Sequence, residues 1–247
     1  KKGVDVSWID SLFTSTSAVC VTGLIAVDCA DHFTAFGQGV LAVLIQIGGL
    51  GVSSIGVGLV LAARKKVGIK SRGIVKEALN TDNYKGIVRL VRAVIITTLG
   101  FEIAGAVLSF LVFVKDFKPL HALGISIFHS VAAFNNSGFD ILGGLRNLTP
   151  YYNDLLLNLV TIALIIFGGI GFLVIMDVAK NKRFRKLSLH SKIVITTSAG
   201  LIVVGTLLLK ATEKITWLEA LFQSVSTRTA GFSTCAIGNF TNAGLFV

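Results

Sequence analysis

The chain has 247 residues, of which 53% are hydrophobic and only 15% charged, with a mean hydropathy of +0.79. A soluble domain carries about 25% charged residues, so an ordinary soluble fold is excluded, and apolar stretches of about 20 residues match roughly 30 Å of hydrocarbon. The net charge of +10 would suit a nucleic-acid binder if the basic residues covered one surface; they fall into two separate blocks instead, so no nucleic-acid partner is expected.

Residues 7–20 open the chain with an apolar segment too short to cross a bilayer, and Ser7-Trp8-Ile9-Asp10 resembles a capping box at its start. A helix of this length reaches only about 20 Å. It is expected to enter from the outer surface and stop inside the membrane. The segment contains Phe13-Thr14-Ser15 and closes on Thr22-Gly23-Leu24. Residues 36–61 then run inward as a full span carrying Gly48, Gly49, Gly51 and Gly56. No strand precedes this glycine run, so it is not a nucleotide loop; Gly48, Gly51 and Gly56 suit close helix packing.

Arg64, Lys65, Lys66, Lys70, Arg72, Lys76, Lys85, Arg89 and Arg92 form the first basic block. Residues 87–114 return outward with Glu102 in their middle. A second short apolar segment, residues 120–134, lacks the capping box but contains Phe128-His129-Ser130 and closes on Ser137-Gly138-Phe139. Residues 155–179 run inward as a continuous span, and Ile165-Ile166-Phe167-Gly168-Gly169-Ile170-Gly171 repeats the glycine pattern of the first inward helix. Lys180, Lys182, Arg183, Arg185, Lys186 and Lys192 form the second basic block, and residues 192–209 return outward. The third short segment starts at Thr216-Trp217-Leu218-Glu219, contains Phe222-Gln223-Ser224, and closes on Ala230-Gly231-Phe232, one position shorter than the other two copies. Both basic blocks are expected in the cytoplasm by the positive-inside rule. They serve as topology determinants alone or also as a docking surface for a cytoplasmic partner.

The fold class expected is therefore all-α integral membrane, built from a repeated unit of outward helix, re-entrant pore half-helix, glycine loop and inward helix. Residues 1–63 form repeat one without its outward helix, 64–180 repeat two, and 181–247 repeat three without its inward helix. The chain reads as part of a larger protein. Irregular backbone at membrane depth is tolerated only when it is buried in protein or lines a watery cavity, and backbone carbonyls can replace the hydration shell of a cation. Gly23, Gly138 and Gly231 suit such a filter, with Val21, Thr22, Asn136, Ser137, Thr229 and Ala230 supplying neighbouring carbonyls. The competing reading is that these glycines only let helices pack.

Arg228 beside a cation site and Glu102 inside a span each need a partner. They pair with one another or each bonds to local backbone or water. Asp177, near the inner end of its helix, is expected at the interface. Cys20, Cys29 and Cys235 have no zinc-type spacing, and the histidines lack an i, i+4 partner, so no metal site and no enzymatic centre is expected. A disulfide between Cys29 and Cys235 is not the favoured reading.

Val21-Thr22-Gly23-Leu24, Phe134-Asn135-Asn136-Ser137-Gly138-Phe139 and Arg228-Thr229-Ala230-Gly231-Phe232 resemble the first three filter segments of the Trk/Ktr/HKT superfamily of potassium transporters, most closely the bacterial KtrB type. Ser188-Leu189-His190-Ser191-Lys192 resembles that family's loop before the third repeat. The resemblance implies four such segments in pseudo-fourfold order around a pore, with the fourth absent from this chain. It implies transport of K+ across a bacterial inner membrane by a multi-pass subunit without a cofactor. It further implies a homodimer and a KtrA-like cytoplasmic nucleotide-binding ring as partners. A sodium-permeable HKT-like or Trk-type transporter is the alternative, and Gly23, where a serine would favour sodium, argues against it.

Overall fold

A computed structural model describes residues 6–51 and 87–246. Among these residues every regular element is helical: α1 (Trp8–Cys20), α2 (Cys29–His32), α3 (Ala35–Leu50), α4 (Ile87–Phe113), α5 (Pro119–Phe134), α6 (Leu155–Gly169), α7 (Phe172–Asn181), α8 (Leu189–Thr212), α9 (Trp217–Thr229) and α10 (Asn242–Phe246). Most of the first basic block, and Gly56, lie outside the described residues.

The starts of the helices follow from local chemistry. Ser7 Oγ accepts from the Asp10 amide at 3.0 Å, and Thr216 Oγ1 from the Glu219 amide at 3.2 Å. The Glu219 carboxylate accepts in return from the Thr216 amide at 2.7 Å, so α9 carries the complete reciprocal box. No side chain caps α5. It begins at Pro119, whose missing N–H costs nothing in the first turn. Thr34, Asp154 and Ser188 cap α3, α6 and α8 in the same way as Ser7.

α4 and α8 are long and apolar enough to cross a membrane. Their outer faces are apolar: Ile96, Ile103, Val107 and Leu111 on α4, and Leu201, Val203, Val204 and Leu207 on α8, are each more than half exposed. In water such faces would drive aggregation, whereas lipid tails are as apolar as these side chains. The inner faces pack on the short helices, α4 against α5 and α8 against α9, while α1 packs on α3. Phe113, Phe134, Phe139, Phe222, Phe232 and Ile165 lie fully buried between them.

The inward helices depart from the expected continuous spans. The span at residues 155–179 is broken at Gly171 (φ 92°), and α6 and α7 meet at a bend of 99°. α3 stops at Leu50, capped by Gly51 with φ 78°, and residues 52–61 lie outside the described residues. The two glycines hold the same place in the repeat and both adopt a left-handed backbone that glycine reaches without a Cβ clash. Gly51 thus ends the helix, and a Cβ there would meet nothing within 4 Å among the described residues. Gly48 does pack closely, against the Val19 carbonyl, and its counterpart Gly168 abuts the Phe134 carbonyl.

At the far end of α7, the Asp177 side chain is fixed by its neighbours. Its carboxylate accepts from the Ser188 amide (2.9 Å), the Ser188 and Ser191 hydroxyls (2.9 and 2.6 Å) and the Asn181 amide (2.6 Å), tying the second basic block to the start of α8.

Candidate functional site

The three glycine loops leave the C-terminal ends of α1, α5 and α9. α1 and α5 finish in the same way. The Val21 amide bonds the Ala18 carbonyl and the Thr22 amide the Ser17 carbonyl, at 3.3 and 3.0 Å; the Asn136 amide bonds Ala133 and the Ser137 amide Ala132, at 3.1 and 2.9 Å. Each pair is a Schellman cap, and the residue at its turning point stands in the left-handed region, Val21 at φ 55° and Asn136 at φ 56°. Asparagine is at ease there, while β-branched valine is an outlier held by its surroundings. The third loop is one residue shorter and cannot make this cap. Its Ala230 stays near the right-handed region (φ −102°), and both the Ala230 and Gly231 amides bond the Ser226 carbonyl.

Beyond these caps the three loops converge. Gly23, Gly138 and Gly231 have φ of 77°, 70° and 76°. A Cβ on Gly23 would come within 2.5 Å of the Ser137 carbonyl oxygen, and a Cβ on Gly138 within 2.5 Å of the Ala230 carbonyl oxygen. A Cβ on Gly231 would stand 3.8 Å from the Gly138 Cα. The structure thus brings the loops side by side in chain order, and the first two glycines are required by both backbone angle and space.

Side chains behind the loops fix this arrangement. Asn135 donates to Gln46 Oε1 at 3.0 Å and Glu102 Oε1 at 3.2 Å, joining α5 to α3 and α4. Gly49 leaves room for this amide. Asn136, with its amide oriented to satisfy its neighbours, donates to Thr229 Oγ1 (3.1 Å) and the Ile165 carbonyl (3.2 Å) and accepts from the Gly169 amide (3.2 Å). In the third copy Arg228 stands where Asn135 stands in the second, and its guanidinium lies against Gly169, the counterpart of Gly49. Glu102 is held by Asn135, so Glu102 and Arg228 are not partners. Arg228 Nε and Nη2 are buried with no hydrogen-bond partner among the described residues.

Sequence reading missed two features. The first is a repeated cross-link: Ser130 Oγ donates to the Glu102 carbonyl at 2.7 Å, and Ser224 Oγ to the Ile202 carbonyl at 2.8 Å. Gly105 and Gly205 make room for these hydroxyls, so the outward helices α4 and α8 repeat as well. The sequence signal was a serine at the third position of each Phe-x-Ser triplet and a glycine three places after its acceptor. The second is an outer strap over the loops. Asn147 (φ 50°) bonds the Leu148 and Ser233 amides through Oδ1 and reaches the Gly138 carbonyl at 3.5 Å. Asp28 accepts from the Leu145 amide at 2.7 Å. Beneath the strap, burial pushes the Asp140 carboxyl up to about 6, with the Asp28 charge acting in the same direction. Burial also raises the Cys29 thiol to about 12, and the three cysteines are free. No group of three or more potential metal-ligating side chains occurs among the described residues.

Residues 2–202 match the family model TrkH, described as a cation transport protein. The chain is 39% identical to the Ktr system potassium uptake protein B of Bacillus subtilis (strain 168), over 95% of this chain and 55% of that protein. It is 37% identical to the potassium/sodium uptake protein NtpJ of Enterococcus hirae, over 100% of this chain and 57% of that protein. The crystal structure of the potassium transporter TrkH from Vibrio parahaemolyticus superposes with a TM-score of 0.68 at 21% identity, covering 94% of this chain and 47% of that one. The chain thus spans about half the length of the relatives it matches.

Proposed function

The chain belongs to the TrkH family of cation transport proteins, and from that premise we propose that it forms three of the four quarters of a potassium-conducting pore. The observation that carries this reading is the convergence of Gly23, Gly138 and Gly231, each with positive φ and each behind a half-helix, with the loops in lateral contact. A potassium ion leaves water when oxygens replace its hydration shell, and carbonyls do this without adding fixed charge. In this reading the carbonyls belong to Val21, Thr22 and Gly23; Asn136, Ser137 and Gly138; and Thr229, Ala230 and Gly231. The C-terminal ends of α1, α5 and α9 present the negative ends of their dipoles below the filter, which favours a cation there. Glu102, through Asn135, holds the second segment from behind, and Arg228 supports the third without binding the ion.

The complete pore has four repeats in pseudo-fourfold order, with repeat boundaries in this chain at 63/64 and 180/181. It works as a multi-pass homodimer in the bacterial inner membrane, with the basic loops toward a KtrA-like cytoplasmic ring and no cofactor in this subunit. A sodium-permeable pore is the second reading, favoured by the name of the Enterococcus hirae relative.

The test is potassium uptake by a transport-deficient bacterial strain carrying the complete gene, with Gly23→Ser compared at matched expression. The added side chain disfavours positive φ and collides with the Ser137 carbonyl, displacing one segment. Potassium affinity should fall relative to sodium by about tenfold for each ~1.4 kcal/mol of differential loss. Unchanged affinities for both ions would remove Gly23 from the filter.

A further inference from the structure

A cavity of about 560 Å³ opens between α3 and α5, where repeats one and two meet. Ala35, Gly39 and Ala42 form one wall and Gly124, Ile125 and Phe128 the other. Its charged lining is confined to the start of α5, where Lys118 precedes the first helical residue and His121 follows within the first turn; both side chains are exposed. From Lys118 to Phe128 the groove follows α5 for about 15 Å at 1.5 Å per residue. That is the depth of one leaflet, half of roughly 30 Å of hydrocarbon.

The glycines distinguish this groove from the contacts elsewhere. Gly48, Gly49, Gly105, Gly168 and Gly205 each leave room for a neighbouring group of the chain, but a Cβ on Gly39 or Gly124 would meet nothing within 4 Å among the described residues; Gly100 and Gly200 are equally open, but only Gly39 and Gly124 face each other across a cavity. Both sit inside helices, where glycine is less favourable than alanine, and no close approach within the described residues requires them. The space they leave is apolar along most of its length, with the Gln38 amide taken up by the Cys29 and Phe33 carbonyls, and carries Lys118 at its mouth. In the ring order proposed above a fourth repeat joins repeats three and one, away from this groove.

We propose that the groove binds one acyl chain of an anionic phospholipid, with Lys118 and His121 holding its phosphate. The Lys118 ammonium and a His121 ring N–H donate to phosphate oxygens at the membrane surface, and the chain lies along Gly39, Gly124 and Phe128. The inference rests on the reading of α5 as a half-helix entering from the outer surface.

Native mass spectrometry of the complete protein in mild detergent, titrated with phosphatidylglycerol or phosphatidylethanolamine, tests it. Phosphatidylglycerol should bind the unaltered protein more tightly, by about fivefold from the Lys118 charge. Lys118→Glu should abolish that preference, and Gly39→Leu and Gly124→Leu, placed on different helices, should each weaken both lipids. Equal binding of the two lipids to the unaltered protein overturns the proposal. So does a preference that survives all three substitutions, or a Gly124→Leu protein that loses only its dimer, which would give the groove to a second copy. Uptake of potassium, measured in parallel, separates this from the pore reading: a complete protein that inserts and selects phosphatidylglycerol but moves no cation leaves the groove standing and removes the pore.

Discussion

The second and third repeats share a backbone and differ in what stands behind it. In both, a serine of the half-helix donates to a carbonyl of the outward helix through a gap left by a glycine. In the second, that outward-helix residue is Glu102, and its carboxylate meets Asn135. In the third, the matching residues are Ile202 and Arg228, and two guanidinium nitrogens remain buried without a partner among the described residues. The repeat therefore preserves distances between main chains, while the chemistry supporting each loop is local. Arg228 is half-buried, and enclosing part of a guanidinium costs more than enclosing a bonded amide, so the third loop depends more on what surrounds it.

The largest contrast should come from the glycines themselves. Gly138→Ala forces a Cβ to 2.5 Å from a carbonyl oxygen at φ 70°, whereas Gly231→Ala meets the same backbone strain with its nearest contact at 3.8 Å. Strain of this kind costs about 1–3 kcal/mol. Gly138→Ala should reduce the initial rate of rubidium uptake well beyond Gly231→Ala, and equal losses would show that lateral crowding does not separate the two loops.

Next in size are the supports. Glu102→Ala removes the longest of three contacts of the Asn135 amide, which keeps Gln46 and the Val131 carbonyl as acceptors, and should lower stability by about 0.5–1.5 kcal/mol, read as a reduced melting temperature in detergent. Arg228→Gln should lower maximal uptake more than apparent potassium affinity, because Arg228 stands behind its loop and carries the charge of the ion. A pure change in affinity would instead put the guanidinium on the ion path.

Asp140 sharpens the comparison through pH. Its folded value of about 6 lies above the ordinary carboxylate value of 3.8, so its protonated form is the one the fold favours. The contribution to stability is fully present below about 4 and is lost as pH rises through about 6. The melting temperature should fall across that window, and Asp140→Asn should flatten the change and raise stability at pH 7 by up to about 3 kcal/mol. An unaltered slope in Asp140→Asn would assign the titration elsewhere. The smallest effect is expected from Ser130→Ala and Ser224→Ala, about 1 kcal/mol each; a marked inequality would break the equivalence of the two cross-links.

Much of this was legible in the sequence because it depends on local signals. Hydroxyl caps, the lengths of apolar runs and the small-Gly-large endings mark α1, α5 and α9 and their loops to within a residue or two. The breaks at Gly51 and Gly171 were not legible, because a glycine in an apolar helix reads equally as a close-packing residue, and only the backbone angle tells them apart. The partners of Asp177 were not legible for a related reason: Ser188 and Ser191 come from the next helix start. Asn147 and the strap were missed because a loop asparagine carries no periodicity. Glu102 and Arg228 stand out in the sequence as charges that need partners; Glu102 meets Asn135, two Arg228 nitrogens meet none among the described residues, and what each faces depends on helix register across repeats that do not align perfectly.

The missing residue before Ala230 changes more than the shape of one cap. In an assembly of identical subunits a deletion would strike every loop at once, and a single codon would have to be tolerated everywhere around the axis. Here the loops are strung on one chain, so the third can be one position shorter and lack the left-handed turn that the first two make. Each loop is open to change by itself, without the same change in the other two. A site assembled this way can be tuned one loop at a time.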